Sequence, residues 1–176
     1  MQELLQEFKR SQTSSAPFVL EKYDSLFQFV VKQLTQQKQT ITAAESLTAG
    51  LFQTTLASVP GASKVLEGGF ITYSLKMKAQ LLDIPATKLQ EHGVVSQWTA
   101  MQMAIHSAQI VNSNFGVGLT GAAGPESLEG HAAGTVWIAV NSPTTTVAQQ
   151  FKFAGNRADV RKKSVVAAFN MVANSL

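Results

Sequence analysis

Ser46, in the stretch TAAESLTAG (Thr42–Gly50), is the first residue whose setting suggests chemistry. Strand-like residues precede it and the helix-like run LFQTTLASV follows, so Ser46 is expected at a strand-to-helix turn. A helix that begins near Thr48 would offer unpaired backbone N–H groups able to hold an oxyanion, which would suit a nucleophilic serine. The same position also suits a serine that only caps the helix. The spacing alone leaves both interpretations open.

A serine hydroxyl becomes a good nucleophile only when a base removes its proton. The three histidines, His92, His106 and His131, form no triad signature and share no metal-ligand spacing, so neither a histidine base nor a bound metal is predicted. A lysine can serve as the base if burial lowers its pKa. Lys78 lies on a short predicted helix after an apolar strand, which makes it the candidate base. The alternative is an ordinary solvated surface charge.

A glycine-rich stretch later in the chain could hold an anion. GVGLTG (Gly116–Gly121) matches the dinucleotide-binding pattern, but its glycines lie inside a predicted strand, no helix opens at Gly121, and residues 130–158 contain no Asp or Glu. A dinucleotide fold is therefore not favoured. The N–H groups of Gly121–Gly124 could instead form a nest for a phosphate or carboxylate, or belong to a flexible turn.

Two arginines near the C-terminus offer a second anion site. Arg157 and Arg161 are one helical turn apart on the last predicted helix, so they share a face. Two guanidinium groups on one face suit a phosphate, although surface charges near a helix start would have the same spacing.

The composition is that of one globular domain. The chain has 176 residues, of which 45% are hydrophobic, and the absence of cysteine excludes disulfides and thiol sites. The net charge is +3, but only 14% of residues are charged and the lysines are scattered, so nucleic acid is not expected as a direct partner. No apolar run approaches the roughly 20 residues of a membrane span, and the N-terminus lacks a secretory pattern. A cytoplasmic protein without membrane association is predicted.

Strand and helix patterns alternate along the chain, with one hairpin. This order predicts an α/β fold, a three-layer α/β/α sandwich with a mixed sheet, built as a single domain with an N-terminal helical lead-in. Helices are predicted at residues 2–10, 23–37, 48–58, 75–82, from 85, 96–111 and 156–173, and strands at residues 39–44, 65–73, 115–120, 135–140 and 145–151. In such sheets ligands bind where loops leave the carboxyl ends of the parallel strands, so the loops bearing Ser46, Lys78 and Thr120 are expected to converge.

Two of these segments carry more detailed predictions. Residues 1–38 form an amphipathic helical segment that docks either on the remaining domain, residues 39–176, or on a second copy of the chain. In the helix over residues 96–111, Ser96 is the predicted N-cap. The positions predicted to be buried are Leu26, Phe27, Val30, Val31 and Leu34 in the first segment, and Met101, Ile105, Ala108 and Val111 in the second.

Six motifs, found in one order, resemble those of the CinA C-terminal family. That family's pattern includes A-E-S-C-T-G-G, Y-S-N-x-x-K, H-G-x-V-S and T-G-x-A-G-P. The resemblance runs from about Thr40 to the C-terminus, and six motifs in order are specific where one would be weak. The matching stretches are AESLTAG (Ala44–Gly50), GGFITYSLKMK (Gly68–Lys78), HGVVS (His92–Ser96), LTGAAGP (Leu119–Pro125), GTVWIAV (Gly134–Val140) and FAGNRADVR (Phe153–Arg161).

The resemblance implies an activity. Active members of the family are nicotinamide-nucleotide amidases, which hydrolyse the carboxamide of nicotinamide mononucleotide to nicotinic acid mononucleotide and ammonia, a pyridine nucleotide salvage reaction, without metal or cofactor. It implies Ser46 as the nucleophile and Lys78 as the base, and it also implies a homo-oligomer. The other implied site residues are Tyr73 and Thr120 in or beside the catalytic site, and Glu45, Thr48, Gly121, Gly124, Arg157 and Arg161 on the substrate.

Several positions depart from the family pattern. Leu47 replaces a cysteine, and Ala49 replaces a glycine, which would be strained if the backbone there needs a positive φ. Leu75 replaces an asparagine, and Lys76 replaces an acid and is expected to lower the pKa of Lys78 further. Asn156 also replaces an acid, and the loop ESLEGHAAG (Glu126–Gly134) is shorter and lacks the family's Lys-Pro.

These departures leave three hypotheses. The chain is an amidase on nicotinamide mononucleotide, a related amidase with another substrate because the altered loop over residues 126–133 reshapes the pocket, or a CinA-like interaction module without catalysis. Catalysis requires Lys78 to be buried and within roughly 2.6–3.2 Å of Ser46. An interaction module would tolerate an exposed Lys78 and would show a large apolar patch.

Overall fold

A computed structural model describes all 176 residues of the chain. Seven α-helices and five β-strands form the fold, with single 3-10 turns at Leu20–Tyr23 and Ala62–Lys64. None of the helices combines the length and hydropathy that crossing a bilayer requires. In chain order the elements are α1 (Gln2–Ser11), α2 (Asp24–Gln37), β1 (Ile41–Glu45), α3 (Leu51–Ala57), β2 (Phe70–Ile71), α4 (Leu75–Leu82), α5 (Ala86–His92), α6 (Gln97–Ile110), β3 (Phe115–Gly121), β4 (Thr135–Asn141), β5 (Thr146–Lys152) and α7 (Arg157–Ala173).

The five strands form one mixed sheet in the order β2-β1-β3-β4-β5. Strands β2, β1 and β3 run parallel, and β4 and β5 continue the sheet antiparallel. The carboxyl ends of the three parallel strands therefore meet at one edge, as the sequence predicted. Glu45, Ile71 and Gly121 end these strands, so the loops that follow them are neighbours.

Helices cover both faces of the sheet, which confirms the predicted three-layer architecture. On one face a 32-residue core includes Phe27 of α2, Phe52 of α3 and Phe169 of α7. The ring of Phe169 lies with its centroid 4.5 Å from that of Phe27 and 4.7 Å from that of Phe52. On the other face, a smaller cluster joins Leu82 of α4, the α5 region and Met103 of α6.

The N-terminal segment packs on the domain of its own chain. All five apolar positions predicted for α2 are buried in the 32-residue core. Phe8 of α1 lies beside Phe153, with ring centroids 6.4 Å apart. Lys163 of α7 donates to the carbonyl oxygens of Ser14 and Ala154, both at 2.7 Å. The link between α1 and α2 is thus fixed to the start of α7.

Helix α6 buries a different face from the one predicted. Ser96 caps it as expected, accepting from the Thr99 N–H. Of the predicted positions only Ala108 is buried; the face toward the sheet is instead Thr99, Ala100, Met103, Ala104, Ser107 and Ala108. The reason lies in β3. A Cβ on Gly116 would stand 2.0 Å from the Ala104 carbonyl oxygen, and a Cβ on Gly118 would stand 2.1 Å from that of Ala100. The alternating glycines therefore permit a close helix-to-sheet contact, which small residues of α6 complete.

Strand β2 is far shorter than the predicted strand over residues 65–73. Only Phe70 and Ile71 pair with β1 as a regular strand, and Leu66 adds one isolated bridge to Ile41. Between them, the carbonyl oxygen of Gly68 accepts from the Thr42 hydroxyl at 2.8 Å. The Gly68 carbonyl thus accepts from a side chain in place of a backbone N–H of β1, and the regular hydrogen-bond ladder between β1 and β2 is interrupted at Gly68.

Candidate active site

Ser46 occupies the turn that leaves β1, at the edge where the parallel strands end. Its backbone N–H donates to the carbonyl oxygen of Leu119 on β3 at 2.9 Å. Helix α3 begins only at Leu51, with Gly50 as its N-cap, so the predicted start near Thr48 is wrong. Ser46 therefore caps no helix, and the simple capping interpretation is wrong as well. Its side chain lines a cavity of about 520 Å³.

Lys78 reaches Ser46 from α4. Its Nζ lies 3.1 Å from Ser46 Oγ and donates to the carbonyl oxygen of Thr72 at 2.9 Å. The side chain is 1% exposed, so it is not the solvated surface charge that the sequence left as an alternative. Ser74 caps α4 by accepting from the Met77 N–H, which fixes the start of the helix that carries Lys78. The lysine is thus held against the serine by a short, capped helix.

Burial determines the charge behaviour of Lys78. Removal from water disfavours the ammonium form and lowers the pKa of Lys78 to about 8, while the carboxylate of Glu129 acts in the opposite direction. The expected effect of Lys76 is not found, because that side chain points into solvent and the causes of the shift are burial and Glu129. A lysine with this pKa is neutral in an appreciable fraction near neutral pH and can accept a proton.

Glu45 does not lie in the cavity, contrary to its predicted role on the substrate. It is fully buried, and its carboxylate accepts from the N–H groups of Gly50, Phe52 and Gln53 at 2.9–3.1 Å. These are the donors at the start of α3, where a negative charge is favourable. Because Glu45 occupies them, these N–H groups of α3 are not available to an oxyanion, and the predicted donors after Ser46 must lie in the turn before the helix.

Two other donors beside Ser46 are free. The backbone N–H groups of Leu47 and Thr48 form no hydrogen bond within the chain. Arg161 donates to the carbonyl oxygens of the same two residues, at 3.1 Å and 2.7 Å. In a trans peptide the N–H points opposite to the carbonyl, so this contact turns the Thr48 N–H away from Arg161. The turn after the serine can therefore present N–H groups to an oxyanion, as nucleophilic sites require.

This arrangement changes the predicted roles of three residues. Arg161 braces the turn after Ser46 through its carbonyl contacts and does not line the cavity. Thr48 is fully buried, and its hydroxyl has no partner within the chain. The hydroxyl of Thr120 donates to the carbonyl oxygen of Val94, so it anchors the segment after α5 to β3 and does not face the serine.

Four of the other predicted residues do line the cavity with Ser46: Tyr73, Gly121, Gly124 and Arg157. The guanidinium of Arg157 donates to the Tyr73 hydroxyl at 2.7 Å and to the Gly124 carbonyl oxygen at 3.0 Å. Tyr73 itself approaches Ser46 through its backbone carbonyl, 3.4 Å from Oγ, and not through its phenol. The phenol and the guanidinium therefore form one part of the wall, separate from the Ser46–Lys78 pair.

The loop after β3 forms part of the cavity wall, where it was expected to reshape the pocket, but none of its residues from Pro125 to Glu129 was assigned a role. Pro125, Glu126, Leu128 and Glu129 all line the cavity. The one usable signal for a role of Glu129 was a carboxylate placed directly before Gly130. Nothing in the linear spacing indicated that Glu129 would influence Lys78, because the two are brought together only by the fold.

Ala49 carries the strain expected from the sequence, with φ +48°. We expect Ala49→Gly to leave the free energy of unfolding unchanged or raise it by up to about 1 kcal/mol, since glycine adopts this conformation freely while also making the unfolded chain more flexible. Ala57→Gly, at the exposed last residue of α3, is the matched control and should lower the free energy of unfolding by up to about 1 kcal/mol. Urea unfolding of both variants measures the difference, and equal losses would contradict the assignment of strain to Ala49.

Comparison with known proteins places this geometry in a family. The model of the CinA C-terminal domain matches residues 23–176. A competence-damage inducible protein of Streptococcus pneumoniae (strain Hungary19A-6) is 52% identical over 153 residues, which cover 86% of this chain and 37% of that protein. The chain therefore spans little more than a third of the length of the curated relatives it matches.

Solved structures share the fold. A CinA superfamily protein from Escherichia coli superposes with a TM-score of 0.85 at 25% identity, covering 93% of this chain and 96% of that one. The competence damage-inducible protein A from Klebsiella pneumoniae gives 0.83 at 28% identity, covering 86% and 94%. With the family model matched from α2 to the C-terminus, the chain belongs to the CinA C-terminal domain family.

Proposed function

We propose that the chain hydrolyses the carboxamide of nicotinamide mononucleotide to nicotinic acid mononucleotide and ammonia. The observation that carries the proposal is the 3.1 Å contact between Lys78 Nζ and Ser46 Oγ, made by a buried lysine whose pKa is lowered to about 8. A structural lysine would gain little from this position, whereas a base must lie within hydrogen-bond reach of the proton it removes.

The reaction follows from this pair. Neutral Lys78 takes the hydroxyl proton of Ser46 as Oγ attacks the carboxamide carbon, giving a tetrahedral intermediate whose oxyanion lies against the N–H groups after Ser46. The Lys78 ammonium then gives its proton to the leaving nitrogen, and ammonia departs from an acyl-serine. Lys78 next removes a proton from water, which attacks the ester carbon, and returns that proton to Ser46 Oγ as the acid is released.

The phosphate of the substrate is assigned to the wall that holds Arg157. This guanidinium makes no ion pair with any carboxylate of the chain, so its charge is available to a ligand. The N–H groups of Ala123 and Gly124 form no hydrogen bond within the chain and add two donors nearby. A guanidinium beside free backbone donors is a suitable setting for a phosphate.

A related amidase with another substrate is the second candidate. The loop that lines the cavity contributes Glu126 and Glu129 and lacks the family's lysine, so the charge of the wall differs from the family pattern. An interaction module is less well supported, because it gives no reason to bury Lys78 against Ser46. The homo-oligomer and the cytoplasmic location stay predictions.

The direct test is ammonia release from nicotinamide mononucleotide, matched mole for mole by formation of the acid. We expect kcat/KM to rise with pH along an acid limb and to level off above about pH 8, because only neutral Lys78 acts as the base. Along this limb the rate should fall about tenfold per pH unit. A rate that is flat from pH 6 to 9 would contradict Lys78 as the base.

A further inference from the structure

The loop after β3 ends in a tight hairpin that places a carboxylate in the cavity wall. Leu128 and His131 exchange both backbone hydrogen bonds, at 3.0 and 2.9 Å, around the two residues Glu129 and Gly130. Both central residues have positive φ, +49° and +78°. Such turns favour Asn, Asp or Gly at the first central position, so Glu129 is held in a sparsely populated conformation. Strained residues of this kind cluster at functional sites.

The side chain of Glu129 fastens the hairpin to the segment between α5 and α6. Its Oε2 accepts from the Val95 N–H at 3.2 Å. It also lies close to Gly93, where an added Cβ would stand 3.1 Å from the same oxygen. The neighbouring Val94 carbonyl accepts from the Thr120 hydroxyl, so the segment over residues 93–95 is held by β3 on one side and by Glu129 on the other.

Glu129 lines the same cavity as Ser46, the residue that Lys78 contacts at 3.1 Å. Its carboxylate raises the pKa of Lys78, in opposition to the effect of burial. Glu45, which directly precedes Ser46, does not serve this purpose, because its carboxylate accepts from the N–H groups at the start of α3. From α7, Arg157 is directed to the Tyr73 hydroxyl and the Gly124 carbonyl.

The helices packed against α4 bring no competing charge. On α5, Lys88 and Glu91 pair with each other at the surface, and His92 stacks on Trp98 of α6. Lys76, on α4 itself, is exposed to solvent.

We propose that Glu129 is a positioning residue of the active site, closing the loop over residues 125–130 onto the 93–95 segment and stabilising the ammonium form of Lys78 during turnover. The inference rests on the proposed amidase function. In that reaction Lys78 becomes a buried cation each time it takes the Ser46 proton, and Glu129 is the protein carboxylate placed to offset that charge. The loop therefore sets both the closure of the cavity and the strength of the base.

Two substitutions separate the charge of Glu129 from its hydrogen bond with the Val95 N–H, which we call the latch. Glu129→Gln removes the charge but keeps an oxygen that can accept from Val95, whereas Glu129→Ala removes both. We expect Glu129→Gln to shift the acid limb of kcat/KM to lower pH by roughly half to one unit, with KM changed less than about twofold. Glu129→Ala should give the same shift and raise KM several-fold. Glu126→Gln makes the same charge change on the same loop; because Glu126 also lines the cavity its KM is free to change, but the pH of the limb should stay in place.

A readout independent of activity tests the latch. Hydrogen exchange at the Val95 amide should accelerate at least about tenfold in Glu129→Ala and stay near the wild-type rate in Glu129→Gln and Glu126→Gln. An unchanged Val95 exchange rate in Glu129→Ala would overturn the latch. A limb in Glu129→Gln that coincides with that of Glu126→Gln would overturn the charge role.

These outcomes differ from failure of the amidase itself. If wild-type protein releases no ammonia, the amidase proposal fails, and the charge role is then tested by unfolding. The pKa of Lys78 is lower in the folded chain, so stability should rise as pH increases from about 8 toward 10.5. In Glu129→Gln that rise should begin at lower pH than in Glu126→Gln. If the curves of stability against pH coincide for the two variants, the charge role of Glu129 is overturned, and this test requires no substrate.

Discussion

Replacing Ser46 by alanine is expected to reduce ammonia release from nicotinamide mononucleotide at least about a thousandfold while the protein stays folded. The hydroxyl is the proposed nucleophile, and no other hydroxyl lies within hydrogen-bond distance of Lys78 Nζ. The fold should tolerate the change, because Lys78 keeps its hydrogen bond to the Thr72 carbonyl. The thermal midpoint should therefore move by no more than a few degrees.

Ser58→Ala is the matched control, since Ser58 follows α3 at the end far from Ser46 and its hydroxyl contacts only the Thr55 carbonyl. Its ammonia release should equal that of the wild type. Wild-type rates in Ser46→Ala would show that Ser46 is not the nucleophile. A folded wild-type chain that releases no ammonia would redirect the search to other carboxamides, with the acidic loop over residues 126–129 as the first place to look for the difference.

The proposed Ser46–Lys78 pair could be named from the sequence because each member has a local signal, and the family resemblance then favoured the catalytic interpretation over capping and a surface charge. Ser46 follows a strand, and Lys78 lies one turn into a short helix whose bounds, Leu75–Leu82, were predicted correctly. Their proximity follows from the parallel strands, whose carboxyl ends must meet. Arg157 was assigned to the site because it shares a helix face with Arg161 and because of the family resemblance, and Tyr73 because of the resemblance alone.

The supporting residues could not be assigned in the same way. Glu45 and Arg161 were expected on the substrate, yet each is occupied by backbone groups of its own chain, the N–H groups of α3 and the carbonyls of the Leu47–Thr48 turn. The linear sequence does not mark whether a charged residue in a motif binds a ligand or supports the backbone. Burial and hydrogen-bond partners decide between the two, and both depend on the tertiary fold.

Two departures from the family pattern are also explained by local structure. Asn156, which replaces an acid, caps α7 in a capping box with Asp159. Asn is among the best N-cap residues, so this change keeps the helix start intact. Leu47 is buried and fills space beside the serine as an apolar side chain. Neither substitution removes a contact of the Ser46–Lys78 pair.

Lys78→Met is expected to lower kcat about a thousandfold or more and yet to stabilise the fold at pH 7 by about 1–3 kcal/mol. Below pH 8 the wild-type lysine is mostly charged although buried, which costs folding free energy, and methionine removes that cost. The loss of the bond to the Thr72 carbonyl offsets part of the gain. Because the folded pKa is about 8 and the ordinary value 10.5, the advantage of methionine should be fully present below pH 8 and fade as pH rises toward 10.5.

Lys163→Met provides the contrast, because Lys163 is also fully buried but serves a structural role. Its Nζ donates to the carbonyls of Ser14 and Ala154, and methionine would leave both unpaired. We expect a loss of about 2–4 kcal/mol in the free energy of unfolding, with the activity per folded molecule retained. Urea unfolding and ammonia release, measured on both variants at pH 7, separate the two lysines. A Lys78→Met variant that is less stable than the wild type would mean that the fold, and not the chemistry, requires this lysine, since a residue kept for catalysis is one whose removal leaves the fold intact or improves it.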